Sequence, residues 1–490
     1  MLSGFHRDAS TWPPKPVIII TGGNSGVGYG IAHRLIKQLG NPDATDIVDA
    51  FPEQVPLSAE DSKARSPFST PNGLTLVLAC RNAIKAHRAC SNLLKLAGKK
   101  RPEDYRDQQM WKAERTRRAM AQSFDSDDDG SAPESSKAAA SRPRYLTRLE
   151  YRQHWLDGLR VEFVPMDLAS VISVFGTVSA IQQRYPYVTH LYLNAGCGPF
   201  IGLNWGAAFY ALATDYIDSV TYPKYPIEKT GEMTKDGLGW TWQCNVFGHY
   251  LLARGLLDHL NKAPLPDSRI IWTGSLDGLP EFYDPKTYQA IEGGKAYQST
   301  KFQIGLLAWA FNALIKAEAR GHPVRTRSYL CHPGVVAGNM FYDLLGWFLD
   351  LGMRMAFYLA RWLGSPYHCI SEYKAGMAFV FVGLAPLFLL HTQQDRAQRL
   401  ARRHLTRSSN GNVQISAKGD QPVDAQEVDW LPTRFSARCS RGGNEYVGID
   451  VVLPSAEDPS RPKKWWWDES LATDLLETCE KHRRQFINAK

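Results

Sequence analysis

Short runs of β-branched and aliphatic residues recur along the first two thirds of the chain, each closed by Gly, Asn, Asp or Pro. Val17–Ile20, Leu74–Ala79, Val161–Val164, His190–Leu193, Arg269–Thr273 and Thr326–Cys331 have the length and make-up of buried strands. Between them, apolar residues fall at helical spacing over Gly30–Leu39, Ala83–Leu96, 241–260 and Tyr297–Ala319. This alternation predicts an α/β fold built on a doubly wound parallel sheet, with any ligand at the carboxyl ends of the strands. Two stretches interrupt it. Residues 41–73, rich in Pro, Asp and Ser, read as an extra loop. Residues 98–144, whose centre is acidic and nearly free of apolar side chains, read as a disordered insertion, because such a segment buries too little to offset the entropy of ordering.

Beyond residue 335 the pattern changes. Residues 340–363 and Ala375–Leu390 are strongly apolar; 396–464 are polar and mixed. Asn444–Leu453 reads as a small extra strand and Lys463–Phe486 as a terminal helix, with acidic residues early and basic ones late, as the helix dipole favours. Three parts follow: 1–340 with the sheet and the loop insertions, 341–395 as an apolar helical segment facing a membrane and admitting substrate, and 396–490 as a C-terminal extension.

Composition narrows the function classes. The 490 residues are 44% hydrophobic, enough for a sizeable core, and the formal net charge is +8. That mild, dispersed excess fits solubility or attraction to anionic lipid, and no nucleic-acid partner is expected. The eight cysteines are scattered without a Cys-x-x-Cys spacing, which predicts reduced core thiols on a cytosolic face and no metal site. Residues 1–16 are polar and Pro-rich, unlike a secretory signal.

The chemistry sits where the strands end. Thr21-Gly22-Gly23-Asn24-Ser25-Gly26-Val27-Gly28 follows the first strand and opens a helix, a turn that lets backbone approach a diphosphate at a helix N-terminus. Thr21, Gly22, Asn24, Ser25, Gly26, Val27 and Gly28 are therefore expected to bind a dinucleotide. Arg81, at the end of the second strand, favours the 2′-phosphate of NADP over the 2′-hydroxyl of NAD, so the cofactor expected is NADPH. Asp167 and Leu168 end the third strand facing an adenine edge, although Asp167 also suits a simple helix cap. Asn194-Ala195-Gly196 and Pro333-Gly334-Val335 end two further strands at the same rim. Tyr297 and Lys301 stand at i and i+4 on one helix face. An unaided phenol, with a pKa of about 10, is a poorly matched acid at neutral pH, and an ammonium beside it favours the phenolate. Ser275 is placed to polarise a carbonyl oxygen and Asn245 to order a water leading to Lys301. Any isolated Tyr-x-x-x-Lys is usually a surface pair; its order after Asn245 and Ser275 is what gives it weight.

These residues resemble the short-chain dehydrogenase/reductase family over about residues 15–335, and imply a Rossmann-like, NADP-binding domain with Asn245, Ser275, Tyr297 and Lys301 as catalytic tetrad. Two departures stand out. Ser275 lies farther before Tyr297 than the family's common spacing, making 276–294 an extra loop near the pocket, and Gly338 replaces a frequent threonine. A narrower likeness, in Asn194-Ala195-Gly196, Gly202-Leu203-Asn204-Trp205, Gln243–Tyr250 and Leu359–Pro366, is to the sterol 3-keto-reductases of fungi. It implies NADPH-dependent reduction of a 3-ketosterol to a 3β-hydroxysterol during C4 demethylation. It further implies location at the endoplasmic reticulum or lipid droplets and association with the other C4-demethylation enzymes. A retinoid, another lipid ketone or a secondary metabolite as substrate, and a scaffold with little catalysis, remain alternatives.

Residues 340–363 support an apolar, membrane-borne substrate on independent grounds. Their charged residues, Asp343, Asp350, Arg354 and Arg361, fall at about 0°, −20°, +20° and 0° on a helical wheel, one narrow seam. The rest of the circumference is apolar, which predicts a helix lying in a membrane interface with its seam toward water or protein, the alternative being a core helix salt-bridged to the domain. Ala375–Leu390, broken by Pro386, is shorter than the ~20 residues of a spanning helix, so monotopic attachment is expected.

Overall fold

The computed structural model describes residues 2–48, 50, 65–98, 145–338, 342–409, 433–451, 453–454 and 466–488. The insertion expected at 98–144 and part of the loop expected at 41–73 lie outside the described residues.

Eight strands form the central sheet: β1 (Val17–Thr21), β2 (Thr75–Cys80), β3 (Arg160–Pro165), β4 (His190–Leu193), β5 (Ser268–Thr273), β6 (Thr326–His332), β7 (Thr433–Cys439) and β8 (Glu445–Val451). Their order is β8-β7-β6-β5-β4-β1-β2-β3. All pairs are parallel except β7 with β8. The strand order reverses between β1 and β4, and the crevice at such a reversal is where doubly wound sheets hold ligands.

β1 and β2 are buried along their whole length because helices cover both faces of the sheet. Ile18 and Ile20 of β1 enter one core, with α1 (Gly26–Leu39), α2 (Ala83–Gly98) and α7 (Met377–Leu384). Val17 and Ile19 enter the other, with α3 (Val171–Arg184), α4 (Gly248–Asn261), α5 (Ala296–Ala319) and α8 (Glu469–Asn488). The helix expected over 241–260 is not uniform: a π-helical segment, Gln243–Phe247, precedes α4 and carries Asn245. Residues 65–73 are more than a loop. Phe68 is fully buried, its ring 4.3 Å from that of His190 and under the Arg269 guanidinium at 4.9 Å.

The C-terminal residues do not form a separate extension with one small strand. β7 and β8 make a hairpin that extends the main sheet, turning at Gly443 (φ 87°), and α8 packs on α5. The sequence of β7, Thr-Arg-Phe-Ser-Ala-Arg-Cys, hides this because only alternate residues are apolar, those facing the α7 core.

The segment 341–395 also divides differently from expectation. Every residue of α7 is buried, so the run read as membrane-associated is a core helix. Ala385 adopts extended backbone before Pro386 and ends it. Among the described residues no single helix is long and apolar enough to cross a membrane. The pair Glu372–Leu384 and Leu387–Arg399 passes by length and composition only, and is bent by 116°. Helix α6 (Tyr342–Trp362), kinked at Gly346 (φ 67°), has the opposite placement. Asp350 and Arg361 are buried and Asp350 pairs with Arg354 at 2.7 Å, while Trp347, Phe348, Leu351, Met355 and Trp362 are exposed. The charge seam thus faces protein; the Asp343 side chain lies outside the described residues.

Phe381→Ala in α7 should therefore lower unfolding stability by about 3–5 kcal/mol. Phe348→Ala in α6 should change it by no more than about 0.5 kcal/mol. Denaturant melts of the two variants check the assignment, and equal effects would contradict it.

Candidate active site

A cavity of about 790 Å³ opens at the strand reversal. Its walls include Gly22, Asn24–Val27, Arg81, Asp167, Leu168, Asn194–Gly196, Ser275, Tyr297, Lys301 and Pro333–Val335. The structure thus brings nearly all the residues expected from sequence to one rim. Thr21 and Gly28 stand directly behind it.

Thr21 fastens the rim. Its hydroxyl accepts from the backbone N–H groups of Asn194 (2.8 Å) and Ala195 (2.9 Å). The Asn194 amide returns a bond to the Thr21 carbonyl at 3.1 Å. His249 Nδ1 donates to the Asn245 carbonyl (3.0 Å), so its Nε2 is the acceptor for the Thr21 hydroxyl at 3.1 Å. Burial holds the His249 pKa down, at about 4, which keeps the ring in this neutral form.

The glycine turn has the geometry of an anion cradle. Gly22 and Gly26 have φ of 66° and 56°, and a Cβ on Gly28 would stand 2.5 Å from Asn194 Nδ2 and 2.6 Å from the Gly22 carbonyl oxygen. No side chain caps the first turn of α1: Ser25, the N-cap, makes no such bond. The first-turn N–H groups therefore point at the cavity free to meet an anion. At the end of β2, Arg81, Asn82 and Lys85 line the same space, Lys85 adding a second cation that the sequence reading missed. A dinucleotide with a 2′-phosphate fits these residues. Asp167 lines the cavity and accepts from the Ala169 N–H at 3.0 Å in the turn before α3, whose N-cap is Ser170, so Asp167 is not the helix cap weighed from sequence. Opposite, Gly334 (φ 71°) lies against the Tyr367 carbonyl, which would sit 2.3 Å from an added Cβ, and Val335 N–H donates to that carbonyl at 2.7 Å.

Ser275 and Tyr297 face the same cavity, close enough for the serine side chain to act on the phenol. The Asp277 N–H donates to Ser275 Oγ at 3.2 Å, and Tyr297 N–H donates to Glu228 at 3.0 Å. Lys301 Nζ, buried, donates to the Thr273 carbonyl at 2.9 Å and lies 5.7 Å from the Tyr297 ring centroid. The phenolate expected from an adjacent ammonium is not what this arrangement favours. Burial pushes the Tyr297 hydroxyl well above its ordinary pKa, the charges of Asp277 and Glu228 act the same way, and the Ser275 side chain opposes them. Burial also lowers Lys301 to about 8.

Asn245 is tied into the fold by its side chain. Its Oδ1 accepts from Cys197 N–H (2.9 Å), and its Nδ2 donates to the Cys197 carbonyl (2.9 Å) and to Thr300 (3.1 Å). Both amide protons are used within the protein, and the residue clamps the 194–197 strand end onto the π segment. Sequence reading also missed Asp277, whose carboxyl burial raises to about 7 at the cavity wall, and Cys197, whose thiol meets that of Cys244. Neither has a spacing signal, because both face the cavity only through loop geometry.

No protein-family model matches the chain. It is 32% identical over 221 residues to a 3-keto-steroid reductase of Eremothecium gossypii, covering 45% of this chain and 61% of that one. It is 28% identical over 366 residues to the 3-keto-steroid reductase of Schizosaccharomyces pombe, covering 75% and 81%. The chain spans about three fifths of the length of the first curated relatives it matches. Among solved structures, L-sorbose reductase of Gluconobacter frateurii in complex with NADPH and L-sorbose overlaps with a TM-score of 0.41 at 14% identity. It covers 76% of this chain and 90% of that one.

The Lys301 value sets a pH limb. The profile of kcat/KM for reduced cofactor, which reports groups of the free enzyme, should fall as pH rises through about 8 and the ammonium is lost. Arg at this position does not deprotonate, so Lys301→Arg should lack that limb whatever its absolute rate. A wild-type profile flat to pH 9.5 would contradict the assignment.

Proposed function

We propose that this chain, similar in sequence to the 3-keto-steroid reductases of fungi, is a short-chain dehydrogenase/reductase that reduces a 3-ketosterol to the 3β-hydroxysterol with NADPH in sterol C4 demethylation. The observation that carries this reading is that Ser275, Tyr297 and Lys301 line one cavity together with the glycine turn that forms an anion cradle. The reduced nicotinamide, when bound, supplies the hydride. The glycine turn and first turn of α1 hold the diphosphate, and Arg81 with Lys85 holds the 2′-phosphate. Ser275 and Tyr297 together receive the carbonyl oxygen. Tyr297, kept protonated by burial, gives its proton to the oxygen as negative charge develops there. Lys301, from beside the ring, supplies positive charge to the phenolate left behind.

The walls outside the polar rim suit an apolar ring system. Val220, Pro223, Trp240 and Phe357 line the cavity. Phe357 belongs to α6, so one helix forms both a wall of the cavity and the exposed apolar face. Tyr216 Oη fixes that helix by donating to the Ala356 carbonyl at 2.8 Å. This continuity supports a monotopic attachment through α6 at the cytosolic face of the endoplasmic reticulum or a lipid droplet, where the sterol passes from lipid to cavity and the other C4-demethylation enzymes are met.

Tyr297→Phe should retain reduced-cofactor binding and lose at least about a hundredfold in ketosterol turnover. Near-normal turnover with a ketosterol panel would remove Tyr297 from the reaction. On the membrane side, replacing Trp347, Phe348 and Met355 together by Ser should shift the protein from floating with phospholipid vesicles to the soluble fraction, since each buried large apolar side chain contributes about 1.5–3 kcal/mol. Unchanged flotation would exclude α6 as the contact.

A further inference from the structure

A continuous chain of hydrogen bonds runs from the Ser275 loop to the Pro333–Val335 loop through the C-terminal hairpin. Arg434, on β7, is buried and reaches across the carboxyl ends of the strands to donate from Nη1 to the Ser275 carbonyl at 3.2 Å. Its Nε and Nη2 both donate to Asp450 Oδ2, at 3.3 and 3.1 Å. Asp450 is the residue paired with Arg434 across the hairpin. The same Oδ2 accepts from His332 Nε2 at 3.2 Å, and Gly334 N–H donates to His332 Nδ1 at 3.2 Å. The bond from Gly334 fixes the proton on Nε2, so every link has one donor and one acceptor. Arg438 completes the cluster on Asp450 Oδ1 at 2.5 Å. The Asp450 carboxyl is held well below the carboxylate range, against its burial, by Arg434, the His332 bond and Arg438, and burial keeps His332 neutral, at about 4.

We propose that Arg434, Asp450 and His332 are positioning residues for the reductase site, locking the Ser275 loop and the Gly334 cofactor loop in one register from a hairpin about 100 residues beyond the sheet's sixth strand. This rests on the reading of Ser275 as the group that holds the substrate oxygen. The chemistry explains why Arg serves here. A planar guanidinium presents donors in several directions at once and spans a carboxylate and a carbonyl, which a lysine ammonium does not. Without that span the Ser275 carbonyl keeps only the weaker contact from Gly278 N–H, at 3.4 Å. A displacement of about 1 Å at a reacting group costs on the order of a hundredfold in rate.

The test combines Arg434→Lys, which keeps the buried positive charge, with Ser275→Ala in a double-mutant cycle read by single-turnover reduction of a ketosterol. Arg434→Lys is expected to lower the rate about ten- to a hundredfold in the parent and less than about threefold in the Ser275→Ala background. Arg434→Gln runs the same cycle with the charge removed. Equal losses in both backgrounds, for whichever variants fold, would overturn the proposal. A second readout does not depend on turnover: amide hydrogen exchange should rise in both 274–278 and 333–336 of Arg434→Lys, with the melting temperature little changed. Exchange unaltered in either loop overturns the inference. Wild-type protein that reduces no ketosterol, with exchange raised in both loops, overturns the assigned activity and leaves the linkage standing.

Discussion

A hydroxyl buried behind the cavity has three segments to hold at once. Thr21 Oγ1 accepts from two consecutive N–H groups at the end of β4 and donates to His249 on α4. Valine has the same shape but would leave two backbone donors and a ring nitrogen unpaired in a dry site, at about 1–3 kcal/mol each. The strand reversal between β1 and β4 makes the crevice, and this atom keeps its two lips together. Close approach follows from it. Gly22 lies against Ala195, and Gly28 against Asn194, at separations that exclude a Cβ on the second. The cradle for the diphosphate, the Asn245 clamp on Cys197 and the floor under Lys301 all hang from this junction.

Burial decides the protonation states, and with them the direction of the chemistry the site favours. A phenol raised in pKa is a poor base in the resting protein and a secure proton donor, the state that reduction consumes. Lys301, lowered to about 8, is charged at neutral pH but responsive to its surroundings, and a bound anion stabilises its charged form. The carboxyls of Asp277 and Glu228, both raised by burial, stand on the far side of Tyr297 from Lys301 in their effect: when ionised they hold the phenol protonated. The site is thus poised by two opposing sets of charges, of which only the lysine was evident from spacing.

What could be read from sequence was what local pattern encodes. Six strands were legible within two residues because each is a short buried run, and the rim residues followed from their positions at strand ends. Spacing placed Tyr297 and Lys301 on one helix face but did not tell that burial would outweigh the ammonium, since desolvation depends on everything packed around a group. The position of Asn245 was legible but its clamp was not, because its partners, Cys197 and Thr300, lie far from it in sequence. β7 and β8 escaped for a different reason. Arg434 and Arg438 both pair with Asp450 across the hairpin, so a strand pair that belongs to the sheet carries charges that look like solvent-facing residues when each is read alone.

The two apolar runs after the sheet take different places, and their charged residues mark the difference. On the α1 side of the sheet, α7 packs on β4 and β5, where His190 and Arg269 bond to its Gly383 and Val382 carbonyls. α7 has no charged residue, so it enters that core with nothing to desolvate. α6 carries its seam of charges and a glycine kink, and settles outside. There the usual amphipathic logic inverts. Asp350 and Arg361 turn inward, Asp350 pairing with Arg354, while tryptophan, phenylalanine and methionine face out. A contiguous apolar surface of that kind is unfavourable in water and is retained where something apolar covers it. The interior run thereby explains the exterior one: because α7 fills the core without cost in charge, α6 is left to present its apolar side beside the cavity, with Phe357 reaching from one into the other.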